Sequence, residues 1–441
     1  MGEALFREAW SSMIEKMTPE DLEWMDQEYQ RRFPQLPLLD DFGVITQYSG
    51  GGFADMGFRQ AGLPILSSVD AWKPANDVRI INQEEGEVLS GYLGREQGEL
   101  HPDDMVEHYA NISQGKKVHF HASPPCQAFT RAQRQGTGAA AKTKEQIFED
   151  KMAAWPLIGD AFYTVEQMLK HPDINLSSWS LEEAPDVAKF ALENPHLLDQ
   201  YVSPQFKKKV LELLTNHPKL DAINFGAPTT RNRTFVGEGW NAEPTHYNLD
   251  RKPKPNLMPS PSVLDVLPHL QREEEENRPN KLAKLTEYRD KGQISQPVLD
   301  YLMSQGFISQ SGGVNPGRRG SSWLDVNMKR PRDKGGPGTA FQHRKPLTST
   351  VTGITHNKPS LMYNRYLNPQ EILMLQGANP TYNLSPAEGQ YWRKTNPRTN
   401  KVKSIPAIDQ ILGNAVAPPV ARAIGRSVTG NNLQRRLMDY N

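Results

Sequence analysis

The feature that most restricts how this chain can fold is an alternation that begins at Phe42. Short apolar segments alternate with stretches of helical spacing, and each apolar segment runs into a polar or glycine-rich turn. Val44-Ile45-Thr46 leads into a glycine cluster, and Ile65 to Val69 ends at Asp70. Val118 to Ala122 meets Ser123-Pro124, and Trp179 to Leu181 meets Glu182. Parallel strands need long crossover connections, usually helices, so this pattern predicts an α/β domain with a largely parallel sheet. In such sheets ligands bind at the carboxyl ends of the strands, where these turns fall.

Other segments surround that domain. Residues 1–33 read as helical, with Thr18 as N-cap, Pro19 at the first helical position, Asp21 as capping partner, and Leu22, Met25 and Tyr29 at helical spacing. This arm, taken as 1–40, holds nine acidic against four basic residues, a net of −5. Near residue 250 the texture turns proline-rich (RKPKPNLMPSPS), as in a linker, and an acidic helix is predicted near 272–290. The Gly/Arg-rich stretch that follows shows no periodicity. Its residues 317–345 carry a net of +6 in a chain whose formal charge is zero, which suits either a phosphate-contacting surface or a solvated loop. Helical pattern returns at Asn368-Pro369-Gln370-Glu371, followed by Ile372 and Leu375, and again from Pro418 to Ile424.

Composition narrows the class further. With 33 glycines and 35 prolines in 441 residues, many turns and some long connections are expected. No apolar run is long enough to span a bilayer and no secretory leader is evident, so a cytoplasmic protein without a membrane partner is expected. The single cysteine excludes an intrachain disulfide framework and a Cys-rich zinc site, and no metal is expected.

Five segments carry chemistry. Tyr48-Ser49-Gly50-Gly51-Gly52-Phe53 lies between a strand and a helix, where glycines let a nucleotide approach the backbone closely. Asp70 closes the next strand, at the place where a carboxylate can accept ribose hydroxyls. Ser123-Pro124-Pro125-Cys126-Gln127 places the cysteine among prolines and polar residues, with Arg131 and Arg134 nearby to favour the thiolate. Glu182-Glu183-Ala184 ends another strand, and Arg231-Asn-Arg233 would aim both guanidinium groups to one face of a strand. The fifth segment, Gly413-Asn414-Ala-Val416-Ala-Pro418, reads as a turn before the C-terminal helix.

In order and content these segments resemble the cytosine-5 DNA methyltransferases. The match runs in that family's linear order from Val44 to Ile424 and leaves the N-terminal arm outside it. Pro-Cys126-Gln, the glycine turn, Arg231-x-Arg233 and Gly-Asn414-Ala-Val416 carry it, with Arg365-Tyr-Leu-Asn-Pro-Gln-Glu371 as a further likeness. The resemblance implies a Rossmann-like S-adenosylmethionine-dependent methyltransferase domain, residues 41–255 plus 402–441, and a smaller irregular target-recognition domain, residues 256–401. It implies that Tyr48 to Gly52 and Asp70 hold the cofactor, with Asn111 and Ile112 near the adenine and Asn414 and Val416 completing the pocket. Cys126 would be the nucleophile, Glu182 would contact the base edge, and Arg233, supported by Arg231, would neutralise charge around the base. The implied substrate is double-stranded DNA, bound by a monomer, with the target cytosine flipped out and residues 131–144 serving as a lid.

The chain departs from the family pattern in places. Glu183-Ala184 replaces Asn-Val after the glutamate, Thr229 stands for the usual glutamine before Arg-x-Arg, Phe53 for a glycine, and Asn111 for an acid. Burial and a like charge at Glu183 are expected to raise the pKa of Glu182. Two other readings stand beside this one. SPPCQAFTRAQRQG resembles the cysteine loop of the tRNA cytosine-5 methyltransferases, although the Cys-Phe-Thr signature of that subfamily needs a second cysteine. The departures would also suit a catalytically silent nucleic-acid-binding relative.

Overall fold

A computed structural model describes residues 17–82, 86–129, 143–229, 231–248, 253–261, 263–269, 286, 290, 368–395 and 402–430. The predicted alternation is present as β1 (Phe42–Gln47), α2 (Phe53–Gln60), β2 (Ile65–Asp70), α3 (Lys73–Ile81), β3 (Glu87–Ser90), α4 (Pro102–Ser113) and β4 (Lys117–Ala122). It continues through α5 (Lys144–Lys170), β5 (Asn175–Glu183), α6 (Pro185–Glu193), α7 (Pro204–Thr215), β6 (Lys219–Asp221) and β7 (Asn232–Glu238). Ahead of them lies α1 (Pro19–Arg32), capped as expected: the Asp21 N–H donates to the Thr18 hydroxyl and the Thr18 N–H to the Asp21 carboxylate.

The seven strands form one sheet in the order β3-β2-β1-β4-β5-β7-β6. All neighbours from β3 to β5 pair in parallel, and β7 runs against both β5 and β6. β1 alternates its side chains between two cores because successive strand residues point to opposite faces. Ile45 joins Val118, Phe120, Trp179 and Leu181 under α4 to α7, while Val44 joins Phe58, Phe235, Val420 and Ile424 on the other face. Burial on both faces explains why the strands read as apolar runs. The chain winds outward from β1 to β3 and then returns to place β4 on the other side of β1. The two central strands therefore diverge at their carboxyl ends and leave a crevice. This is the Rossmann-like methyltransferase fold.

The C-terminal segments close that core. Helix α8 (Pro369–Leu375) begins where the helical pattern returns and carries a capping box between Asn368 and Glu371. A hairpin of β10 (Tyr391–Thr395) and β11 (Val402–Pro406) leads to α9 (Ala407–Asn414), followed by α10 (Pro418–Val428). The expected turn at Gly413-Asn414 is displaced, since both residues finish α9 and the turn falls at Ala415 to Ala417. Ile372, Leu373 and Tyr382, within the segment 256–401, share a core with Phe53, Ala75 and Val78 of the sheet domain. The proline-rich stretch near 250 contributes a short parallel pair, β8 (His246–Tyr247) with β9 (Met258–Pro259). The predicted helix near 272–290, apart from residues 286 and 290, the basic stretch 317–345 and Arg365 lie outside the described residues. Among the described residues no helix is long and apolar enough to cross a membrane.

Candidate active site

Two loops leave the carboxyl ends of the adjacent strands β1 and β4, so the switch in strand order brings the glycine turn and the cysteine loop together. Their separation is set by hydrogen bonds that continue the pairing past the strands. The Ser123 N–H donates to the Gln47 carbonyl at 3.1 Å, and the Ser49 N–H to the Val69 carbonyl at 3.1 Å.

The glycine turn takes φ values of +55° at Tyr48, +55° at Gly50 and +79° at Gly52. Glycine adopts this region without strain, whereas Tyr48 pays about 1–2 kcal/mol for it. Its ring packs against the core under α5, and its hydroxyl donates to the Leu157 carbonyl at 3.3 Å. Gly51 has no room for a side chain, because a Cβ there would lie 2.6 Å from Ile411 of α9, and its carbonyl accepts from the Tyr382 hydroxyl at 2.9 Å. Gly50 is different: among the described residues a Cβ would meet nothing within 4 Å. Open space therefore lies directly over the turn, beside Asp70, whose carboxylate accepts from Gly50 and Trp72 N–H groups at 2.8 Å each. Each carboxylate oxygen keeps a lone pair for a ligand hydroxyl. Burial raises the Asp70 pKa above the ordinary value, and the backbone N–H groups offset part of that rise. This edge fits an adenosine-bearing group.

Asn111 and Ile112 are not brought to it. They lie in the last turn of α4, which descends toward the start of β4 at Lys117, so they sit at the amino ends of the strands. The residues that follow β3 reach the Asp70 edge instead, since β3 lies beside β2 and the Gly91 N–H donates to the Asp70 carbonyl at 3.1 Å. Tyr92 is exposed there. Asn414 is exposed at the end of α9, while Val416 is buried and lines a small cavity with Arg231, Arg233 and Phe235.

At the other loop Cys126 is half-buried rather than freely accessible. Burial, then Glu183, then Glu182 push its thiol up to about 12, while Arg233 and the Ala184 N–H pull it down less. The expected thiolate is thus not favoured in this state, and Arg131 and Arg134 lie outside the described residues. Glu182 is buried and meets the Arg233 guanidinium at 2.8 Å. Glu183 is also buried, and among the described residues no side chain donates to its carboxyl oxygens. Burial and Glu182 hold the Glu183 carboxyl well above the usual carboxylate range, with the Ala184 N–H opposing. The structure thus builds a proton-holding environment at Glu183, while the arginine stands against Glu182. The two arginines do share one face, as predicted, around the cavity with Phe235 and Val416. Arg231 is fixed by the Gly413 carbonyl at 3.1 Å, and burial followed by the charge of Arg233 lowers its pKa to about 9.

A feature the motifs did not announce runs beneath this site. His119 bridges the hydroxyls of Ser178 and Ser180 at 2.8 and 3.1 Å, and His121 bridges those of Ser180 and Ser123 at 2.8 and 2.9 Å. The chain ends at Ser123, the position beside Glu182 once Ala122 has paired with Leu181. Both rings are fully buried, and burial pushes His121 down to about 3 and His119 well below the ordinary value. Each neutral ring offers one N–H and one acceptor, so it can serve both hydroxyls. Polar residues at every second position of β4 and β5, His119-His121-Ser123 against Ser178-Ser180-Glu182, were the available signal.

The fold and the meeting of these residues at its crevice define a methyltransferase-type architecture. No protein-family profile and no curated protein matches the chain. Among solved structures it is similar to a prophage-encoded E. coli protein assigned as a DNA modification methyltransferase, with 14% identity, 88% of this chain and 99% of that chain covered, and a TM-score of 0.44. It is also similar to Spodoptera frugiperda DNMT2 (16% identity, 88% and 99% covered, TM-score 0.39) and to the S. pombe Dnmt2 methyltransferase (12%, 89% and 98%, 0.35). At such low TM-scores the fold rests on strand order and register rather than on these likenesses.

Proposed function

We propose that the protein transfers a methyl group from S-adenosylmethionine to carbon 5 of cytosine in DNA. The observation that carries this reading is the convergence of Cys126, Glu182 and Arg233 at the carboxyl ends of β4 and β5, next to the open glycine turn. Tyr48 to Gly52, Asp70 and Val416 would bind the cofactor, with the edge after β3 as the adenine side. The cofactor supplies an electrophilic methyl group.

Carbon 5 of cytosine is a weak nucleophile. The Cys126 sulfur adds to C6, which makes the ring enamine-like and raises electron density at C5. The resting thiol holds its proton, and as the S–C6 bond forms that proton passes to the Glu182 carboxylate. Glu182, at the N3 and amino edge, hands that proton on to N3 so that the adduct ring stays neutral, and Arg233 donates toward the base O2. Transfer of the C5 proton to solvent and elimination of the thiolate, which recovers its proton from N3 through Glu182, then release 5-methylcytosine. The base must leave the duplex to reach the crevice, at a cost of a few kcal/mol. Residues 131–144 as lid, and the basic stretch 317–345 as phosphate contact within a target-recognition region, belong to the same reading, as does action as a monomer on DNA.

The test is Cys126→Ser with a tritiated methyl donor and duplex DNA. Methyl transfer is expected to vanish while DNA binding stays within about twofold; a fully active variant would sink the assignment. The cysteine loop also favours a second reading, methylation of tRNA cytosine. Parallel assays on duplex DNA and bulk tRNA separate the two.

A further inference from the structure

Four buried residues that the reaction does not use join the two halves of the cofactor edge. From Gly50, whose N–H donates to Asp70 Oδ2 at 2.8 Å, the path runs through the Asp70 carbonyl, which accepts from Asn76 Nδ2 at 2.9 Å. Asn76 Oδ1 accepts from an Arg79 guanidinium N–H at 3.2 Å, and Arg79 Nε lies 3.7 Å from Asp55 Oδ2. Asp55 has the Thr46 hydroxyl beside it, and Thr46 Oγ1 meets Ser49 Oγ at 2.8 Å, one peptide bond from Gly50. The circuit closes. It threads the end of β1, helix α2, helix α3 and the end of β2, and Thr46, Asp55, Asn76 and Arg79 are all buried.

The charged pair in this circuit is a poor stabiliser. Both side chains are 0% exposed, and at 3.7 Å the pair is too long for a good hydrogen bond. Buried pairs of such geometry recover little of their desolvation cost, and well-packed apolar replacements are often neutral or stabilising. What the pair does possess is position. Among the described residues it is an ionic link between α2, which starts at the glycine turn, and α3, which starts three residues after Asp70 and carries Asn76 and Arg79.

We propose that Asp55 and Arg79 are positioning residues for the cofactor, holding the glycine turn and Asp70 at the separation an adenosyl group requires. The inference rests on the reading of this edge as the S-adenosylmethionine site. It is tested with the full chain and the double variant Asp55→Leu/Arg79→Met, which removes both charges together. S-adenosylhomocysteine binding is followed by calorimetry, amide exchange by NMR or mass spectrometry, and thermal unfolding in parallel. The expected result is a melting temperature within a few degrees of wild type, affinity reduced tenfold or more, and exchange at the Gly50 and Trp72 amides accelerated tenfold or more. The amides of β4 should keep their protection. Unchanged affinity and unchanged Gly50 exchange in a folded double variant overturn the proposal. If the double variant does not fold, Asn76→Ala opens the same circuit without touching the charges, and the same local loss of protection is required of it. Failure of the wild-type protein to bind the probe removes the cofactor reading itself, and with it the assignment of these residues to a cofactor; Gly50 exchange then reports only on the circuit.

Discussion

Glu183 sits where the resembling family places an uncharged asparagine, and the difference changes the chemistry of its neighbour. Once ionised, a buried carboxylate raises the cost of a second negative charge nearby, so Glu183 and Glu182 hold the Cys126 proton to higher pH. Replacing Glu183 by Gln removes the larger of the two repulsions. The alkylation rate of Cys126 by iodoacetamide should then rise at pH 8, and its pH profile should move to lower pH. An unmoved profile would mean that burial alone sets the thiol. If the thiol is slower to react in the wild-type protein, Cys126 is protected from adventitious modification. Arg233 was legible from its spacing, but its contact with Glu182 was not. That pairing depends on β7 entering the sheet between β5 and β6, a long-range event with no local signal.

At the scale of elements, helix starts were the most legible part, because capping is local: Thr18 with Asp21 forms the predicted box, and a helix returns at Pro369 as its spacing implied, capped by Asn368 with Glu371. The strands were legible as apolar runs because the sheet is covered on both faces. What failed was depth along an element. Asn111-Ile112 matched a motif in residue type, yet α4 carries them to the wrong end of the sheet, since a crossover helix must run opposite to its strands. The β4–β5 histidine chain was missed because histidine inside a strand reads as a neutral interruption until its serine partners are in register. Its energetic consequence is specific. The folded state keeps His119 and His121 neutral, while unfolded histidine titrates near pH 6.5, so stability present above that pH is lost as pH falls from about 6.5 toward 3. Each such histidine steepens the loss by up to about 1.4 kcal/mol per pH unit. Urea unfolding between pH 7 and pH 4 should therefore show a slope in His121→Gln shallower by about one proton; an identical slope would contradict the burial of a neutral ring.

For the molecule as a whole, the decisive contact is between the first helix of the sheet domain and the last described one. A Cβ on Gly57 of α2 would stand 2.3 Å from the Pro418 carbonyl and 2.8 Å from Ala421 of α10, so the two helices touch backbone to backbone. Gly57→Ala must push them apart. We expect a loss of about 1–3 kcal/mol in stability, read by chemical denaturation, as for other overpacked cores. A wild-type midpoint in that variant would show that α10 can shift freely. The same closeness has a temporal meaning. Phe58 cannot be covered by Val420, Ala421 and Ile424 until more than three hundred further residues have been joined to the chain. At synthesis rates of about 5–20 residues per second, the nascent sheet waits roughly 20–70 seconds with one apolar face uncovered. Chaperone capacity during that wait, rather than the stability of the finished protein, is what should limit the yield of active molecules when expression is fast.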